Sequence, residues 1–126
     1  MEENIEVGFP PKIWEELMED YLEEVKNGEI EMSDVKFNIA ILDESAEILN
    51  KFKDSSSQLD GVNNPELVKS KVEELVIALN LLSAKHNDFI MTGEREDLCL
   101  WIDELILQTG YPLKEDEDLT LDYREW

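Results

Sequence analysis

Apolar residues recur along this chain at helical spacing in four separate stretches. Trp14, Leu17, Met18, Tyr21, Leu22 and Val25 fall three or four apart and share one face of a helix that Pro10-Pro11 opens and Asn27-Gly28 closes. The other side of this first helix collects Glu16, Glu19, Asp20 and Glu23, which makes it amphipathic with an acidic ridge turned outward. A second helix is predicted from Ser33, whose hydroxyl suits an N-cap, through Val35, Ile39, Leu42, Ala46 and Leu49 towards Phe52. Val35, Phe37, Ile39 and Ile41 also alternate with the period of a strand, but the continuation through Asp43–Leu49 reads helically and no turn signal intervenes. Residues 54–64, rich in Asp, Ser, Asn and Gly, read as an exposed loop.

The third helix is predicted with Asn64 as cap and Pro65 at its first position. Its stripe is Val68, Val72, Leu75, Val76, Leu79 and Leu82. Ile77 and Leu81 add a second apolar side, which predicts a central helix covered on two faces. Lys85 and His86 suit its negative end, and Asn87 suits a left-handed stop. After Phe89-Ile90-Met91, Thr92 is the expected cap of a fourth helix. Glu94, Glu96 and Asp97 stand in its first turn, Leu98, Ile102, Leu105 and Ile106 on its inner stripe, and Gly110 and Pro112 past its end. The expected core joins Trp14, Leu17, Tyr21, Val72, Leu75, Leu79, Leu98, Ile102 and Leu105. Ile5, Val7 and Phe9 alternate, as do Leu119, Leu121 and Tyr123, so the termini can add a short strand pair. The predicted fold is all-α, a bundle of about four helices within one domain spanning residues 1–126.

Composition narrows the function classes. At 126 residues and 42% hydrophobic content the chain can bury one core, too apolar for a disordered acidic tail. Thirty-two acidic against 11 basic side chains give a net charge of −21, which repels phosphate backbones and anionic lipid, so neither nucleic acid nor membrane is an expected partner. Residues 1–32 carry 11 acids against 2 lysines, a net −9, and are the strongest acidic surface. High charge also serves solubility alone. The beginning Met1-Glu2-Glu3-Asn4 lacks the basic and apolar regions of a signal peptide, so a cytoplasmic address is expected. The lone Cys99, among Leu98, Leu100 and Trp101, reads as a small buried hydrophobe.

Patterns that carry chemistry are mostly absent. The single His86 has Ser83 three residues before it, so the Glu-x-x-His pair of di-iron bundles is missing. A calcium loop beginning at Asp116 would place Leu121 where glycine is needed. His86 and Cys99 show no spacing that implies a dyad, the glycines form no phosphate loop, and the carboxylates read as a solvated face. No catalytic residue, metal or cofactor is therefore expected. Arg95 and Arg124 are expected to neutralise acids, Arg95 near Glu96 and the tail, Arg124 near helix-borne carboxylates.

What remains is binding. Size, acidity and helical content are similar to those of small bacterial immunity proteins that neutralise toxin domains, such as the helical colicin nuclease immunity proteins. The segments Thr92–Cys99 and Asp122–Trp126 resemble an uncharacterised bacterial family. The resemblance to immunity proteins implies a non-enzymatic inhibitor whose acidic face meets a basic protein, and the resemblance to the uncharacterised family implies no activity. Candidate contacts are Glu16, Glu19, Asp20 and Glu23 on the first helix. On the fourth, Leu100 and Leu107 point outward beside Asp103 and Glu104, with Trp101 on their flank as an anchor. Either the C-terminal tail covers these leucines, or they form a bare patch for a basic partner or a second copy of the chain. The alternatives are a DNA mimic, with carboxylates spaced like phosphates along the first helix, and an enzyme of unfamiliar type.

Overall fold

The computed structural model describes residues 8–126 as four helices: α1 (Pro10–Lys26), α2 (Ile39–Ser56), α3 (Pro65–Lys85) and α4 (Thr92–Gln108), with a single 3-10 turn at Met32–Asp34. Among the described residues there is no strand, and the all-α bundle is as the apolar spacing predicts. The expected strand pair falls partly on Ile5 and Val7, outside the described residues. Its other half does not form: Phe9 packs on Trp101 at 5.6 Å between ring centroids, and Leu119, Leu121 and Tyr123 lie in turns.

α1 starts at Pro10 and Pro11, whose missing amide hydrogens cost nothing in a first turn, and ends where Gly28 takes a φ of 77°. Only Pro10, Pro11 and Trp14 of this helix are buried. Trp14 is fully enclosed, stacked on Phe37 at 5.8 Å and meeting the edge of Phe89 at 5.6 Å. Its indole N–H donates to Asp97 Oδ2 at 3.1 Å, so one side chain ties α1 to α4. Leu17, expected in the core, is 37% exposed instead, and Tyr21 is half-buried against Phe37. α1 lies across the bundle's edge, so only the middle of its apolar stripe is covered.

α2 starts later than the apolar spacing suggests. Ser33 sits in the 3-10 turn, Val35–Asn38 is not helical, and Asn38 is the true cap, its side-chain oxygen accepting from the Ile41 amide at 2.8 Å. Phe37 is thereby delivered to Trp14. Asn38 thereby satisfies one of the orphan amides of the helix's first turn. The helix also extends to Ser56, and the segment after it is not simply exposed, because Gly61 is buried. The Gly61 amide donates to the Thr109 carbonyl at 2.7 Å, and a side chain there would collide with Tyr111 backbone atoms within 2.8 Å.

α3 buries its whole expected stripe, and the chain leaves it through Asn87 and Asp88, with φ of 60° and 55°. Its second apolar side is not covered: Ile77 and Leu81 are exposed. α4 begins at Thr92 itself, one residue beyond the cap position, and the first-turn Glu94 accepts from the Met91 amide at 3.0 Å. Leu98, Ile102, Leu105 and Ile106 are buried as expected, and so is Trp101. Among the described residues no helix is long and apolar enough to cross a membrane.

The tail after α4 is held in place. Tyr111 and Thr120 are buried, and Leu113, Leu119, Tyr123 and Trp126 pack on the core. Asn80 of α3 donates to the Tyr123 carbonyl at 2.9 Å and accepts from the Glu125 amide at 3.0 Å.

Candidate functional site

The four acids of the α1 ridge, Glu16, Glu19, Asp20 and Glu23, are all exposed. None forms an ion pair with a lysine or arginine among the described residues. At 100° per residue Leu17 and Leu22 fall on the two borders of this ridge, and each is 37% exposed. The face therefore joins uncompensated negative charge to a modest apolar rim.

On α4 the expected surface is divided. Leu100 and Leu107 are 61% and 49% exposed, and Glu104 stands partly exposed between them. Trp101 is only 6% exposed, held between Phe9 and Phe52, so it is not available as an anchor. At three residues from Leu98 and four from Leu105, its spacing already places it on the inner stripe.

The tail does fold back on α4, but over the side carrying Cys99 and Asp103, leaving Leu100 and Leu107 uncovered. Thr120 Oγ1 lies 3.9 Å from Cys99 Sγ. Cys99, expected to be buried, is only partly so, but that burial pushes its thiol up, which disfavours a nucleophilic role. Burial and the neighbouring Asp118 raise the Asp103 carboxyl to about 6. Burial acts in the same direction on Asp118 but is outweighed by the Thr120 hydroxyl and by Arg124, whose guanidinium lies 3.0 Å from Asp118 Oδ2. Arg124 thus neutralises a carboxylate of the tail rather than one borne by a helix, and Arg95 reaches only Thr92 at 3.4 Å.

A folded-state value near 6 against an ordinary 3.8 means that the native chain binds this proton more tightly than the unfolded chain. Stability from Asp103 is therefore present at low pH and lost between about 4 and 6. Asp103→Asn is expected to raise the melting temperature relative to the parent more at pH 7 than at pH 4.5. An equal difference at both values would contradict the shift.

Across the bundle, α2 and α3 line a groove of about 490 Å³ that lies outside the two candidate surfaces on α1 and α4. Ile48, Phe52, Leu75, Ala78 and Leu82 form its apolar floor, and Glu44, Glu47, Lys51, Lys71, Glu74 and Lys85 its rim. Its sequence signal was the second apolar side of α3, where Leu81 stands 70% exposed at the groove. His86 ends α3, its Nε2 3.4 Å from Glu44 Oε1, and the same carboxylate takes Lys85 at 2.8 Å. The Lys85 hydrogen bond holds the Glu44 carboxyl below its ordinary value.

Among the described residues no group of three or more His, Cys, Asp or Glu side chains is placed to hold a metal ion. No protein-family model matches the chain, and neither a curated protein nor a solved structure matches it significantly.

Proposed function

We propose that this chain is a non-enzymatic acidic binding protein of the immunity or inhibitor kind, which engages a basic protein partner in the cytoplasm through the outer face of α1. The observation that carries this reading is the exposed ridge Glu16, Glu19, Asp20 and Glu23, without cationic partners among the described residues and bordered by half-exposed Leu17 and Leu22. A solubilising surface needs charge anywhere. Here four exposed acids line one face of the helix that contributes fewest buried residues, leaving the apolar border available for contact.

Imitation of DNA is the weaker reading. Glu16 to Glu23 covers only about 10 Å of helix axis, the rise of roughly three base pairs. The α4 surface is weaker too, because Trp101 and Asp103 are engaged inside the fold and two leucines remain beside Glu104.

Affinity capture from the source organism's extract tests the proposal. The parent chain is expected to retain a basic protein that salt elutes, and the Glu16→Lys, Glu19→Lys, Glu23→Lys variant to lose it. Equal retention by both would remove the ridge from the interface. Capture of nucleic-acid-binding proteins displaced by added DNA would favour the mimic instead.

A further inference from the structure

We propose that the α2/α3 groove is a self-association surface, on which a second copy of this chain docks about a two-fold axis. The first support is charge. Two chains of −21 repel each other wherever acid predominates, yet the groove rim carries three lysines against three glutamates and is locally neutral.

The arrangement within the rim is self-complementary. Lys85 is paired with Glu44 at 2.8 Å and Lys71 with Glu74 at 3.7 Å. Glu47 and Lys51, one turn apart on α2, line the same groove with no ion-pair partner among the described residues. A two-fold axis passing between their positions sets Glu47 of each copy against Lys51 of the other, satisfying four charges with two symmetric contacts.

The second support is shape. Leu81, one turn before Lys85 on α3, and Ile48, one turn after Glu44 on α2, line the same groove as that ion pair. Leu81 is a projecting apolar side chain beside a concave apolar floor. The same axis, passing beside Ile48, brings the two copies' Leu81 side chains together over the grooves, whose α3 side from Lys71 to Lys85 runs for about 20 Å. None of these residues belongs to the α1 ridge, so the dimer leaves that ridge free and stands or falls separately from the proposed partner.

Sedimentation equilibrium of the full chain at 0.15 M salt, where the Debye length is about 8 Å and long-range repulsion is damped, is the test. The parent is expected to reach twice its 14.7 kDa mass as concentration rises. Leu81→Glu is expected to remain monomeric with an unchanged helical spectrum and with the melting temperature that the parent has when too dilute to dimerise, since the side chain is exposed in the single chain. Glu47→Lys alone and Lys51→Glu alone are each expected to weaken the dimer about tenfold or more by setting like charges together. The double exchange is expected to restore it. A parent that stays monomeric, or a dimer indifferent to Leu81→Glu and to both single reversals, would overturn the proposal.

Discussion

Replacing Trp14 with Ala is expected to lower the unfolding free energy by about 3–5 kcal/mol, the range for truncating a fully enclosed large aromatic. Trp14 has no exposed surface, contacts Phe37 and Phe89, and supplies the indole N–H to Asp97. Its loss opens a cavity where α1, the segment before α2 and the start of α4 converge. Burial raises the Asp97 carboxyl above its ordinary value while the Trp14 N–H works against that rise, so the variant also strands a carboxylate beside Glu94 and Glu96. Urea denaturation followed by far-ultraviolet circular dichroism measures the change. A loss below 1 kcal/mol would mean that α1 is not anchored by this residue. Because small domains hold only about 5–15 kcal/mol in all, the variant should also be visibly less stable at 37 °C.

The second large effect is expected at Glu94, the one buried charged residue among the described residues. One carboxylate oxygen accepts from both Lys36 Nζ, at 2.6 Å, and the Met91 amide, at 3.0 Å. Its own side chain is 9% exposed and that of Lys36 is 25% exposed, so the pair is only partly screened. Glu94→Ala removes a helix cap and leaves a cation and an amide without their acceptor. The expected cost is about 2–4 kcal/mol, below the figure for a fully buried pair because Lys36 retains access to water. Glu94→Gln keeps the cap and is expected to cost less. Equal losses for the two variants in the same denaturation experiment would show that the charge, rather than the cap, sets the value.

These two sites mark the limits of what local pattern conveys. The stripes of α3 and α4 were legible because a helix that faces a core repeats every three to four residues whatever lies opposite. Trp14 was legible as core for the same reason, but its partners Phe37 and Asp97 were not, since they lie 23 and 83 residues away in sequence. The start of α2 is not written locally, because Ser33 and Asn38 are both competent caps and the packing of Phe37 on Trp14 selects Asn38. Trp101 flanks the outward pair Leu100 and Leu107 in sequence, but its spacing from Leu98 and Leu105 is that of the inner stripe, and it is buried. The tail has no period to reveal which side of α4 it covers, so the concealment of Asp103 required the fold. The acidic ridge is the part of the candidate surface most directly written in the chain, because surface charge needs no partner to specify its place on a helix.

The central proposal is that this ridge steers a basic protein onto α1, and the association rate with the captured partner, followed across ionic strength, tests it most directly. Glu16→Lys, Glu19→Lys and Glu23→Lys together move the net charge by six, from −21 to −15. At 0.01 M salt, with a Debye length of about 30 Å, the variant is expected to associate about 10- to 100-fold more slowly than the parent. The two rates should converge as salt rises through 0.15 M towards 1 M. Equal rates for parent and variant at 0.01 M salt would contradict the account.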